Sequence, residues 1–150
     1  RWILINASPD IRQQIESFAP LHPRALRDSP IRAVMLTSGD LDHCLGLLVL
    51  REWQRLVVYA TERVWQGLVH HNIMWRTLER FSGQLQWHPL HCDTDHQICG
   101  ADGEPFGLSI HAFSVPGKVP LHLETLQDPH PEDTIGVTLN DGRTRCTYVS

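Results

Sequence analysis

The stretch VMLTSGDLDHCLG, residues 34–46, places four polar side chains directly after an apolar run. The run, residues 33–36, has the composition expected at the end of a buried strand. The polar side chains that follow it are Ser38, Asp40, Asp42 and His43. Open α/β sheets bind ligands beyond the carboxyl ends of their strands, so these four residues are candidates for a functional site.

Two interpretations compete for this D-x-D-H spacing. Two carboxylates and an imidazole suit a divalent metal ion. Alternatively, Asp40 or Asp42 caps the helix that the apolar sequence predicts over residues 43–53. The spacing alone leaves both interpretations open.

The flanking sequence alternates strand patterns with helix patterns. Strands are predicted at residues 2–6, 31–37, 56–61 and 84–90. Helices are predicted at residues 9–18, with Ser8 as the cap, and at 62–71 and 73–81. Beyond these lie a polar loop (92–105), a strand (106–115), a Pro-rich surface loop (116–134) and a hairpin (134–149). This order predicts one α/β layered domain over residues 1–150.

Composition narrows the class of protein. Of the 150 residues, 41% are hydrophobic and 20% charged, which is typical of a globular domain. The net charge of −4 disfavours nucleic acid as a partner. The longest apolar run, residues 45–50, is too short to cross a bilayer. Four separated cysteines without a C-x-x-C pair predict reduced thiols, and together these features predict a soluble cytoplasmic protein.

A second polar cluster, HCDTDH at residues 91–96, also has metal-ligand residue types. Its members are His91, Asp93, Asp95 and His96. No buried strand ending in threonine precedes it, and a glycine-containing loop follows it instead of an apolar helix. A solvated loop is therefore preferred over a metal site here.

The surroundings of the first cluster resemble the metallo-β-lactamase superfamily motif T-H-x-H-x-D-H. Ser38 and Asp40 stand where the motif has two histidines, whereas Asp42 and His43 match it. With that replacement, the sequence resembles the protein B family of pyrroloquinoline quinone (PQQ) biosynthesis. WILINASPDIRQQI, IRAVMLTSGDLDHCLGLLVLRE and HAFSVPGKVP also look like segments of that family, so the resemblance covers nearly all of the chain.

The resemblance implies a metallo-β-lactamase-like αββα sandwich, of which this chain is an internal part. Proteins of that family are about twice as long. They carry an N-terminal segment with a structural zinc site and a C-terminal half with further metal ligands. The resemblance therefore implies that residues 1–150 form a partial domain.

The resemblance also implies which metal ligands are lost and which are kept. The first metal site of the superfamily uses three histidines, and their positions fall at Ser38, Asp40 and, near the third, Gly117. The second site keeps Asp42 and His43 and takes a distant histidine from outside this chain. One carboxylate with two histidines is the facial triad of non-haem Fe(II) enzymes. Asp40 is then a further ligand or a base that orients water or substrate.

The implied activity is iron-dependent hydroxylation, with O₂, of the tyrosine ring of a peptide-derived PQQ precursor. Asp40, Asp42 and His43 are its catalytic residues. Two alternatives stay open: a carrier that delivers PQQ or its precursor towards the periplasm, and a zinc hydrolase of the superfamily. A homo-oligomer is also left open.

Overall fold

The computed structural model describes residues 1–26, 28–50 and 55–150, which contain two four-stranded sheets. The first sheet is parallel, in the order β1-β2-β3-β4, and the second is antiparallel, in the order β5-β6-β7-β8. The first comprises β1 (Trp2–Ile5), β2 (Ile31–Met35), β3 (Leu56–Thr61) and β4 (Leu85–Leu90). The second comprises β5 (Asp95–Cys99), β6 (Pro105–Ser114), β7 (Ile135–Asn140) and β8 (Arg145–Tyr148).

The helices are short. The α-helices are α1 (Ile11–Ser17), α2 (Leu41–Cys44) and α3 (Glu62–His71). The 3₁₀ segments are Ala19–Leu21, Leu45–Leu48, Ile73–Glu79 and Leu121–Leu123. Among the residues that the structure describes, no helix is long and apolar enough to cross a membrane.

Strand β3 shows why the chain forms layers. All six of its residues are buried, as expected for a parallel strand covered on both faces. Val58 and Ala60 pack into a core shared with the three α-helices, whereas Val57 and Tyr59 pack into a second core between the two sheets. Successive side chains of a strand point to opposite faces, so one apolar strand supplies both cores. The result is three stacked layers, α-β-β, which confirms the predicted α/β fold as a partial αββα sandwich.

The sequence-based elements differ from the structure at three places. Residues 95–99 form β5 rather than part of a polar loop, because they pair with β6 and bury Ile98 completely. The helix predicted at residues 43–53 is a short α2 followed by a 3₁₀ segment, and its residues 51–53 lie outside the described residues. Helix α1 begins at Ile11, and Ser8 does not cap it with its side chain.

A buried ion pair secures the surface loop between β6 and β7. The Arg63 Nε atom lies 2.8 Å from Oδ1 of Asp133, whose side chain is only 4% exposed. Thr61 adds a hydrogen bond from its Oγ1 to the carbonyl oxygen of Glu132. These contacts attach the end of the loop to the start of α3, and they fix the position of Thr134, which reaches the candidate site.

Candidate metal centre

The segment that follows β2 connects the two sheets. Ser38 forms a β-bridge with Thr134, and the backbone nitrogen of Ile135 donates to the carbonyl oxygen of Thr37 at 2.8 Å. Asn6, at a positive φ of 62°, receives the Thr37 backbone N–H at Oδ1 (2.9 Å) and donates from Nδ2 to Thr37 Oγ1 (2.9 Å). The strand end is therefore rigidly held, and Ser38 to His43 begin from a fixed point.

Ser38 orients the imidazole of His43. Its Oγ lies 2.8 Å from His43 Nδ1 and 3.3 Å from Asp40 Oδ2, and it accepts the Asp40 backbone N–H at 3.2 Å. One assignment satisfies every group: His43 Nδ1–H donates to Ser38, and the Ser38 hydroxyl donates to Asp40. In that tautomer, His43 Nε2 carries a lone pair and is the nitrogen available to a ligand.

Asp42 lies beside the available nitrogen. Its Oδ2 is 3.9 Å from His43 Nε2, and its side chain is 78% exposed, compared with 22% for His43. A carboxylate oxygen and an imidazole nitrogen are both ligands of Fe(II) and Zn(II). The donor set of Asp42 and His43 therefore fits a divalent metal.

Asp40 occupies the N-cap position of α2, but its side chain makes no capping hydrogen bond. Its carboxylate instead accepts from Ser38. The capping interpretation of Asp40 is therefore wrong in its side-chain chemistry.

Gly117 leaves no room for a larger side chain. A Cβ atom built on Gly117 would overlap the side chain of Thr134. Thr134 is in turn held by its bridge to Ser38, so any side chain at residue 117 would displace the segment that pairs with Ser38. The loss of the superfamily's first metal site, which the resemblance places near Gly117, stays a prediction.

Cys44 is close to the carboxylates but is not a nucleophile. Burial, and then the nearby charges of Asp40 and Asp42, raise the pKa of its thiol to about 12. The Sγ atom donates to the carbonyl oxygen of Gly39 at 3.6 Å. The thiol is therefore protonated at neutral pH.

His122 lies close enough to the site to be affected by the charge of Asp40, and the sequence analysis did not single it out. Both of its ring nitrogens are buried, and neither has a hydrogen-bond partner among the described residues. Burial lowers its pKa, and the negative charge of Asp40 opposes that effect. His122 stands five residues after Gly117 in the sequence, and Pro120 of the same loop lies 3.3 Å from a Cβ atom built on Gly39.

The rival cluster at residues 91–96 does not assemble as a site. His96 Nε2 lies 2.8 Å from Thr94 Oγ1 and accepts the backbone N–H of His91 at 3.0 Å, so it stabilises a turn. The carboxylate of Asp95 pairs instead with His111, with Oδ1 of Asp95 at 2.9 Å from Nδ1 of His111. Across residues 1–26, 28–50 and 55–150, no group of three or more His, Cys, Asp and Glu side chains is arranged to hold a metal, at either cluster.

Comparison with known proteins identifies the family. A model of the β-lactamase superfamily domain matches residues 1–150. The chain belongs to the β-lactamase superfamily. The stacked helix and sheet layers described above are thus the fold of this superfamily.

Curated relatives share about two-fifths of the sequence. "Coenzyme PQQ synthesis protein B" of Xanthomonas euvesicatoria pv. vesicatoria is 44% identical over 154 residues, covering 99% of this chain and 48% of that protein. The protein of the same name from Methylorubrum extorquens AM1 is 41% identical over 157 residues, with the same coverage. The chain therefore spans about half the length of the curated relatives it matches.

A solved structure agrees with these relatives. Zn(2+)-bound PqqB from Methylobacterium extorquens superimposes with a TM-score of 0.82 at 40% identity, over 99% of this chain and 48% of that one. The metallo-β-lactamase fold protein YhfI from Bacillus subtilis, at 12% identity and a TM-score of 0.60, shares the fold alone.

Proposed function

We propose that the protein containing this chain takes part in PQQ biosynthesis as a metal-dependent hydroxylase. One observation carries the proposal: His43 Nε2 is available beside Asp42. The crowding at Gly117 supports the proposed loss of the first metal site. The pathway in this proposal is the one for which the curated relatives are named, PQQ synthesis. The substrate in the proposal is a peptide-derived precursor with a tyrosine ring.

In this proposal Asp42 and His43 hold Fe(II), and a further histidine comes from the length of the relatives that this chain does not span. Bound Fe(II) with open positions would supply the activation of O₂. Ser38 fixes the ring of His43, and Asp40 fixes the hydroxyl of Ser38. Ser38 and Asp40 thus hold the His43 ligand in one tautomer, and the exposed carboxylate of Asp42 lies next to it as the second ligand.

The role of Ser38 gives a direct prediction. Ser38→Ala removes the acceptor of His43 Nδ1–H, so the imidazole can rotate and change tautomer. We expect the affinity of the full-length protein for Fe(II) to fall by about 10- to 100-fold, as for other partners of metal-bound histidines. Anaerobic titration with a competing chelator measures this affinity. Ser38→Thr keeps the hydroxyl and should retain more of the affinity than alanine does; equal loss in both variants would contradict the role.

The hydroxylase proposal is tested with full-length protein purified without oxygen. We expect it to bind Fe(II) and, with O₂ and a reductant, to add an oxygen atom to the tyrosine ring of the precursor. The second oxygen atom leaves as water, with two electrons from the reductant. Mass spectrometry with ¹⁸O₂ follows the label into the ring. Unlabelled product, or turnover without metal, would overturn the proposal.

A carrier function is the competing proposal. A carrier should bind PQQ tightly in metal-free protein and release it unchanged. The two proposals separate in one experiment, because only the hydroxylase requires Fe(II) for any change in the precursor.

A further inference from the structure

Three arginines line one cavity at the end of the first sheet opposite the candidate metal centre. Arg1 precedes β1, Arg32 lies at the start of β2, and Arg55 precedes β3. Adjacent parallel strands begin at the same edge, so these residues from distant parts of the sequence converge. Ser38 follows the other end of β2, roughly 20 Å away at the rise of an extended chain.

The cavity has a wall from the second sheet. Its volume is about 320 Å³, and the turn from Gly100 to Asp102 and the ring of Phe106 line it. The guanidinium carbon of Arg1 lies 6.0 Å from the centre of the Phe106 ring. A space of this size holds a small molecule rather than a peptide or a dinucleotide.

The charges around this 320 Å³ cavity are mostly positive. Among the described residues, Arg32 has a carboxylate partner, Asp28, at 3.8 Å, whereas Arg1 and Arg55 have no ion pair. Asp102 also lines the cavity and contributes one negative charge, and its Oδ1 accepts the backbone N–H of Glu104 at 3.2 Å. The whole chain has a net charge of −4, so three arginines at one cavity are a local concentration of positive charge.

We propose that this cavity binds a small dianion, through the guanidinium groups of Arg1, Arg32 and Arg55. Each guanidinium is a planar fork that donates two parallel hydrogen bonds to a carboxylate or a phosphate. Both kinds of ligand share the chemistry of a multiply charged oxyanion. The site lies apart from Asp42 and His43, so its ligand is not the group that those residues would transform.

Isothermal titration of the full-length protein at low ionic strength tests the proposal, with inorganic phosphate and succinate as the two probes. Phosphate is compact, whereas succinate carries two separated carboxylates. The probe that binds more tightly therefore shows whether the cavity prefers a phosphate or a dicarboxylate. We expect saturable binding of at least one probe. Arg32→Met and Arg55→Met should each weaken it by about 10-fold, because each removes a charged hydrogen-bond donor pair.

Arg143→Met is the matched control, because Arg143 is exposed in the turn between β7 and β8 and the same charge is removed. Its binding should equal that of the unchanged protein. Arg55→Lys keeps the charge without the fork, should show an intermediate loss, and replaces Arg55→Met if that variant fails to fold. Absence of saturable binding for both probes, or equal weakening by Arg143→Met, would overturn the proposal.

Discussion

Alanine in place of His43 or Asp42 is expected to lower the Fe(II) affinity of the full-length protein by more than about 100-fold, beyond the loss from removing an outer partner. Each change deletes one of the two donor atoms that lie 3.9 Å apart. Hydroxylation of the precursor should be lost with the metal. Anaerobic metal titration and product analysis measure the two effects separately.

The pair formed by Asp95 and His111 is the matched control. It has the same residue types, with His111 Nδ1 at 2.9 Å from Asp95 Oδ1, but it lies on the second sheet. Asp95→Ala and His111→Ala should leave Fe(II) affinity unchanged. Stoichiometric Fe(II) binding in His43→Ala would show that the proposed centre is elsewhere.

Gly46→Ala is expected to have the largest effect on stability. A Cβ atom at residue 46 would overlap the carbonyl oxygen of Ser8 and lie 2.7 Å from the carbonyl oxygen of Ala7. Both are backbone atoms, and Ala7 is also held by hydrogen bonds with His43 and Gly46 (2.6 and 2.8 Å), so it cannot move freely. We expect the free energy of unfolding to fall by about 3 kcal/mol, the upper part of the usual range for overpacking.

Chemical denaturation of the full-length protein measures this change. Gly142→Ala is the control, because nothing lies within 4 Å of a Cβ at residue 142 and only its φ of 84° disfavours alanine. It should cost about 1 kcal/mol. Equal losses of stability in the two variants would show that the close approach of residue 46 to Ala7 and Ser8 is not the reason for glycine at this position.

Local patterns predicted the parts of the fold that depend on neighbouring residues. The apolar run of β3 and the hairpin turn at Asn140–Gly142 were recognisable, because burial and turn chemistry act over a few residues. Strand β5 was missed, since its outer residues are polar and only its pairing with β6 makes it a strand. The helix after His43 was predicted too long, because the approach of Gly46 to Ala7 is a contact between distant parts of the sequence.

The candidate site likewise has features that could be predicted from the sequence and features that could not. Asp40, Asp42 and His43 could be selected from the sequence because they lie close together after one strand. The hydrogen bond that sets the tautomer of His43, the crowding at Gly117 and the burial of the His122 ring nitrogens could not, because each depends on how the folded chain packs. The arginine cavity likewise exists only once β1, β2 and β3 lie side by side.

Local pattern and residue identity predicted the layered α/β class and the polar segment after β2, and the resemblance to the superfamily motif predicted that Ser38 and Asp40 replace two histidines. The role of Ser38 as the hydrogen-bond partner of His43 follows from the tertiary structure. Folding brings its hydroxyl to His43 Nδ1 and places Thr134 against Gly117. The physical reason is that the direction of a hydrogen bond and the space beside a Cα atom are properties of packed neighbours.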